Sequence, residues 1–321
     1  MDYKVLITRK IPEAGLKKLK SKTKVYMHSG DFPISQREMF KFAPEIDAMI
    51  SVGTQVDEDF VNMATRLKII SNYGVGYDNI NIKAASQNGI LVTNLPFSVT
   101  QSTAELAMAL ILSISRRIVE ADHFIRNDND GNWHPMLLMG NELHGKILGI
   151  IGFGRIGQAA AKIARSFGMK IIYNKRTPLS LEEENNLKAK FHKLESLLQK
   201  ADYVVISAPL TDSTFHLIGE KELTIMKENA FLINIGRGPI VNEFDLVKAL
   251  KNGEIAGAGL DVFEDEPKVH PGLLKQKNVV LTPHIGTQTL ETRIKMAKKA
   301  SDNILKVLQG KEPENVVNKK E

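Results

Sequence analysis

The chain has 321 residues, of which 43% are hydrophobic and 25% charged, with a net charge of +6 and no cysteine. Such a length predicts two domains of ordinary size, and such a composition predicts a soluble globular protein. Without cysteine there are no disulfides or thiolate metal centres, so a cytoplasmic setting and no metal site are expected; the longest apolar stretches, near Leu106–Ile114 and Ile147–Phe153, are too short to cross a bilayer.

The opening "MDYKVLIT" reads as a strand, because a signal peptide would need a basic start and a small-residue cleavage site. The runs "YKVLIT", "KVYMHS", "IDAMIS", "LKIISN" and "GILVTN" predict strands separated by helical segments, hence a parallel sheet covered on both faces. Lysines 17, 18, 20, 22 and 24 form the densest basic run, read as a solvated helix and strand start. No aromatic residues interleave with them, so nucleic acid is not an expected partner. At Pro96 the alternation breaks. Ser102 and Glu105 then suggest a capping box opening a long, largely apolar helix that would be buried between domains.

From Lys146 a second alternation begins: "KILGIIG", "MKIIYN", "DYVVISAP", "AFLINIG", "IAGAGLDV" and "NVVLTPH" as strands, "RIGQAAAKIARSF" and finally Leu290 to Leu308 as helices. The fold class is therefore α/β, with two doubly wound parallel-sheet domains. Within it, Gly152, Gly154 and Gly157 stand in G-x-G-x-x-G spacing between an apolar strand and an alanine-rich helix. The first glycine permits the tight turn, the second lets a pyrophosphate approach the backbone, and the third lets the helix pack close to its strand. A dinucleotide site is expected, with phosphates at the helix N-terminus. The second strand of such a unit reaches the adenosine ribose, where an acidic side chain would bond the hydroxyls and repel a 2′-phosphate. Here Asn174, Lys175 and Arg176 stand instead. Two cations suit a phosphate, so NADP(H) is preferred over NAD(H); the plainer alternative is that both side chains point to solvent at a strand end.

Three later loops follow predicted strands: Arg237 in "GRG", Glu264, Asp265 and Glu266 in "FEDEP", and His284 in "TPHIG". Hydride transfer to a 2-oxo acid needs a guanidinium for the carboxylate, an acid for the carbonyl oxygen, and a partner that keeps that acid protonated. In open parallel sheets such loops converge outside the carboxyl ends of the strands. Singly, each has a plain reading as a surface turn, a solvent-facing histidine or an acidic loop, and spacing does not choose among the three carboxylates.

With these motifs the chain resembles the D-isomer-specific 2-hydroxyacid dehydrogenases from about residue 40 to 310. "NYGVGYDNI" resembles the family's substrate loop, "GKILGIIGFGRIG" its cofactor signature, and "FLINIGRGPIVNEFDLVKAL", "GAGLDVFEDEP" and "NVVLTPHIG" its arginine, glutamate and histidine motifs. The resemblance implies a split flavodoxin-like substrate domain, residues 1–100 and 290–321, around a Rossmann cofactor domain, residues 101–289. It implies that Arg237 binds the substrate carboxylate and oxo oxygen, that His284 moves the proton, and that Glu266 bonds the ring and favours imidazolium. Backbone N–H groups of Val75 and Gly76 would cradle the carboxylate. Thr103 and Asp261 would lie near the nicotinamide, Arg155 and Ile156 at the pyrophosphate, with Pro209 and Ile235 also touching the cofactor. Residues near Val52–Thr54, Tyr73 and Trp133–Gly140 would wall the pocket, and a homodimer is implied. The departure from the family's usual aspartate, toward Asn174-Lys175-Arg176, points to a reductase of glyoxylate, hydroxypyruvate or a 2-keto-sugar acid. A phosphonate or phosphite oxidoreductase on the same scaffold, or a nucleotide-sensing corepressor-like protein, would keep the same three side chains.

Overall fold

The computed structural model describes residues 3–30, 32–127 and 133–319. The chain divides into two compact units, Met1–Val99 with Thr287–Glu321, and Thr100–Gly286. The first, split unit holds a parallel five-stranded sheet of β1 (Lys4–Ile7), β2 (Lys24–Met27), β3 (Ala48–Ser51), β4 (Ile69–Asn72) and β5 (Leu91–Thr93), in the order β2-β1-β3-β4-β5. Its helices are α1 (Lys17–Lys20), α2 (Gln36–Phe42), α3 (Glu58–Met63) and α4 (Ile82–Gln87). Side-chain caps start three of them: Ser35, Asp57 and Asn81 each accept the N–H three residues on. Leu6, Met49, Ile70 and Val92 point to one face of the sheet, onto Met39, Phe60 and Ala84. The last segment returns to this unit, where Asn318 accepts the Val92 N–H at 2.8 Å and donates to the Ile90 carbonyl at 2.8 Å.

In the middle unit, α5 (Thr100–Ser115) and α6 (Ile118–Asn127) precede β6 (Ile147–Ile151), α7 (Arg155–Ser166), β7 (Lys170–Asn174), α8 (Leu181–Leu187), β8 (Ala189–Phe191), α9 (Leu194–Lys200) and β9 (Tyr203–Ile206). Then follow α10 (Glu220–Thr224), β10 (Phe231–Asn234), α11 (Glu243–Asn252), β11 (Gly257–Leu260) and β12 (Val279–Leu281); α12 (Leu290–Leu308) belongs to the split unit. The seven strands run parallel in the order β12-β11-β10-β9-β6-β7-β8. Successive residues of one strand feed opposite cores. Tyr203 and Val205 pack with Ile150, Ile233 and α5, whereas Val204 and Ile206 pack with Leu232, Leu246 and Leu250. That two-sided burial is why the sequence reads as apolar runs rather than as clean alternation.

Every strand anticipated in the sequence is present, and the doubly wound parallel α/β architecture stands. Two details differ. Ser102 is not a helix cap, because α5 already begins at Thr100, and Glu105 instead accepts a bond from Gln101 within the helix. The short edge strand β8 went unanticipated, since only Ala189 of its three residues is buried and it carries no apolar run. No helix among the described residues is long and apolar enough to cross a membrane.

Candidate active site

Strands β10, β11 and β12 are consecutive neighbours at one side of the seven-stranded sheet, and Arg237, Glu266 and His284 each follow one of them at its carboxyl end. Neighbouring strands lie about 4.8 Å apart, so residues remote in sequence meet there. The imidazole Nδ1 of His284 lies 2.9 Å from Oε2 of Glu266. The other carboxylate oxygen of Glu266 accepts the Phe263 N–H at 3.1 Å. Burial works to raise the Glu266 pKa. The His284 bond and charge, the Phe263 N–H and the nearby Arg237 outweigh it, and the carboxyl is held below its usual range. Of the three acids in this loop, Glu264 turns elsewhere: one oxygen meets Nε2 of His216, and the other accepts the Glu243 N–H at 3.2 Å.

His284 adopts a left-handed backbone, φ 55°, which is uncommon for residues other than glycine. Asp261 fixes it there. Its carbonyl accepts the His284 N–H at 2.9 Å, while its carboxylate accepts the Thr282 hydroxyl at 2.7 Å and the N–H groups of Ile285 and Gly286 at 2.7 and 2.9 Å. Burial raises the Asp261 pKa, offset in part by those same donors. The residue thus clasps the histidine loop. Thr103 closes the same loop from α5, donating to the Gly286 carbonyl at 3.3 Å.

Arg237 sits in a turn that only glycine permits. A Cβ at Gly238 would stand 1.9 Å from the Phe263 carbonyl, so the arginine loop and the Glu266 loop touch backbone to backbone. The Arg237 Nη1 donates to the Gly236 carbonyl at 3.0 Å, and Asn234 donates to the Arg237 carbonyl at 3.0 Å. Arginine and glutamate loops are therefore held in fixed register.

At β6 the glycine turn behaves as a cradle. Gly152 has φ 90°, and a Cβ there would meet the Ala208 nitrogen at 2.4 Å; a Cβ on Gly157 would meet the Gly152 carbonyl at 2.7 Å. Gly154 has no atom of the described residues within 4 Å of an added Cβ, and it caps α7 with no side-chain bond. The turn leads directly into the first turn of α7, which holds Arg155 and Ile156 at the positive end of the helix, and the chain reverses between β6 and β9 at this point. These features fit a dinucleotide pyrophosphate. Pro209 follows β9 and is exposed, while Ile235 follows β10 and is buried. Asn174, at the end of β7, has its amide committed to the His192 carbonyl at 2.8 Å, and its own carbonyl accepts the Gly152 N–H at 2.9 Å. That leaves Lys175, half-buried, and Arg176, exposed, as the cations of this tip.

In the split unit, the loop after β4 is pinned by three consecutive carbonyls. Gly74 accepts the Leu95 N–H at 2.9 Å, Val75 the Asn94 amide at 2.8 Å, and Gly76 the Asn72 amide at 2.7 Å. In a trans peptide the following N–H points the opposite way. The N–H groups of Val75 and Gly76 consequently face away from these anchors, and among the described residues no internal acceptor takes them. Sequence reasoning placed the glycines but not Asn72 and Asn94, whose task depends on strand register. It also missed Glu243, a 5% exposed carboxylate for which the only signal was its place just after the Arg237 turn.

Residues 108–286 match the D-isomer specific 2-hydroxyacid dehydrogenase, NAD binding domain. A glyoxylate reductase of Thermococcus litoralis is 47% identical over 99% of this chain and 98% of its own length. Among solved structures, a glyoxylate reductase from Paecilomyes thermophila is 33% identical, covers 98% of both chains and superposes with a TM-score of 0.87. The NADPH-dependent glyoxylate/hydroxypyruvate reductase of Sinorhizobium meliloti, in complex with NADP and malonate, is 30% identical with a TM-score of 0.85, covering 99% of this chain and 97% of that one. With its cofactor turn, its strand-end triad and its whole length accounted for, the chain belongs to the D-isomer specific 2-hydroxyacid dehydrogenase family.

Proposed function

We propose that this protein uses NADPH to reduce a small 2-oxo acid, in the group of glyoxylate, hydroxypyruvate and 2-keto-sugar acids, to the D-2-hydroxy acid. The observation that carries the reading is the His284–Glu266 bond at 2.9 Å, with Arg237 close enough to act on the same carboxylate. Residues 100–286 serve as the cofactor unit and the remainder as the substrate unit. When bound, the nicotinamide supplies the hydride. Everything else falls to the chain.

Arg237 holds the oxo acid by its carboxylate and polarises the carbonyl, a task suited to a planar guanidinium fork. The unclaimed N–H groups of Val75 and Gly76 offer the carboxylate further donors. His284, bonded at Nδ1, has Nε2 left to give a proton to the carbonyl oxygen as negative charge builds on it. The Glu266 carboxylate stabilises the ring while it is positive and holds its orientation. For the cofactor, Gly152, Gly154 and Gly157 with the Arg155 and Ile156 N–H groups would take the pyrophosphate, and Lys175 and Arg176 the 2′-phosphate. Thr103, Pro209, Ile235 and Asp261 would border the ribose and nicotinamide. Relatives named as glyoxylate reductases, one of them NADPH-dependent with NADP bound, support this choice. The exposed Ile118, Val119 and Ile125 of α6 support pairing with a second copy.

The test is a panel of 2-oxo acids with NADPH and with NADH, followed by loss of reduced-cofactor absorbance. Turnover of at least one of the three acid classes with NADPH is expected. Tight NADPH binding with no turnover of any oxo acid would instead favour a nucleotide-sensing protein.

A further inference from the structure

A pair of guanidinium groups in the split unit has no part in the reaction as described. Arg9 follows β1, Gly53 follows β3 and Tyr73 follows β4, and these strands are neighbours in the order β2-β1-β3-β4-β5. Chain connections leave β1 and β3 in opposite directions, which opens a crevice between their carboxyl ends, the usual ligand position in sheets of this order. The Thr8 hydroxyl ties the two strand ends, accepting the Val52 N–H at 2.9 Å and the Thr54 hydroxyl at 2.8 Å. Beside it Gly53 has φ 58°, and a Cβ added there would meet no atom of the described residues within 4 Å. The space is open.

Arg293, in the first turn of α12, lays its guanidinium over the Tyr73 ring, 5.5 Å from the centroid. The Tyr73 hydroxyl donates to the Arg293 carbonyl at 2.6 Å, and the Arg293 Nε donates to Gln288 at 3.0 Å. Burial lowers the Arg293 pKa, and the charge of Arg9 lowers it further, so the two cations feel each other. The Nε of Arg9 is buried and has no hydrogen-bond partner among the described residues. Among the described residues no carboxylate forms an ion pair with either guanidinium, whereas Arg66, Arg117 and Arg126 each have one. Two like charges with an unused buried donor make a costly arrangement that an anion would relieve.

We propose that Arg9 and Arg293 bind an anionic group at the far end of the substrate, so that the 2-oxo acids reduced best carry a second carboxylate or a phosphate. This rests on the reduction reading above and narrows its substrate class. The distances suit it. The 74–76 loop begins directly after Tyr73, and β1 lies two strands from β4, about 10 Å at ordinary strand spacing. A substrate whose first carboxylate rests on the Val75 and Gly76 N–H groups would present a second anion, a few bonds along, to the guanidinium forks.

The experiment compares matched substrates in the full chain with NADPH: 3-phosphohydroxypyruvate against hydroxypyruvate, and oxaloacetate against pyruvate. The wild type is expected to favour the charged member of at least one pair by about tenfold or more in kcat/KM, and the favoured pair tells phosphate from carboxylate. Arg9→Met and Arg293→Met should each cut that preference about tenfold, the scale of one lost charge-assisted bond. If either variant fails to fold, Arg9→Lys decides, because it keeps the charge without the fork and should give an intermediate preference. Equal preference in wild type and variants, or none in the wild type, overturns the subsite. If no oxo acid is reduced at all, the reduction reading falls separately. The subsite is then judged with inorganic phosphate alone: a phosphate-dependent rise in Tm that Arg9→Met abolishes sustains it, and an equal rise in both refutes it.

Discussion

Glu243 and Glu264 exchange hydrogen bonds across two loops: Oε1 of Glu243 accepts the Glu264 N–H at 2.9 Å, and Oε2 of Glu264 accepts the Glu243 N–H at 3.2 Å. This clasp joins the start of α11, just past Arg237, to the segment that carries Glu266. Burial first, and then the neighbouring Glu264 charge, raises the Glu243 pKa. The folded protein thus holds this proton to higher pH than the unfolded chain does. Stability from this group is therefore fullest below the ordinary glutamate range and is lost as pH rises through the raised folded value. Glu243→Gln removes the titration, so its Tm relative to wild type should climb across that window in calorimetric scans. A constant difference would contradict the assignment. Glu243→Ala, which leaves the Glu264 N–H without its acceptor, should cost about 1–3 kcal/mol.

Replacing Lys175 and Arg176 together by neutral residues should raise the KM for NADPH by about tenfold or more, with much less effect on NADH. The loss is that of charge-assisted bonds to a group of charge near −2. Equal effects on both cofactors in steady-state kinetics would remove the phosphate role.

Arg237→Lys keeps the charge but loses the fork. The expected result is a fall in kcat/KM for the oxo acid, with NADPH affinity, read by fluorescence titration, little changed. Unaltered kinetics would place the substrate carboxylate elsewhere.

At the cofactor turn, Gly157→Ala puts a methyl group 2.7 Å from the Gly152 carbonyl, a backbone atom that has no side-chain freedom to yield. NADPH affinity should fall together with Tm. Gly154→Ala, which meets no atom within 4 Å in the free chain, should spare Tm and lower NADPH affinity alone. Loss of Tm in that variant would mean that the cradle is part of the fold rather than room for the ligand.

Strands and the outline of the site were legible because both depend on short-range chemistry. Buried parallel strands produce apolar runs, and Gly152, Gly154 and Gly157 mark a turn whose sterics demand them. What the sequence hid depends on register between distant strands. Family resemblance put Asp261 beside the cofactor; that both its oxygens also hold the histidine loop follows from β11 lying beside β12. Glu264 and Glu266 are two residues apart and alike in type, yet one meets His216 and the other His284. Spacing along the chain carried no information on which would do so; the choice of Glu266 came from family resemblance. The Ser102–Glu105 capping box failed for a local reason, since α5 starts two residues earlier, at Thr100.

The most direct test of the central claim, that His284 delivers the proton while Glu266 and Arg237 set its surroundings, is single-turnover reduction of the best oxo acid by His284→Ala. The rate should fall by about two to four decades, the scale of general acid–base catalysis, while NADPH still binds as in the wild type. A variant that reduces the oxo acid at the wild-type rate would contradict the account.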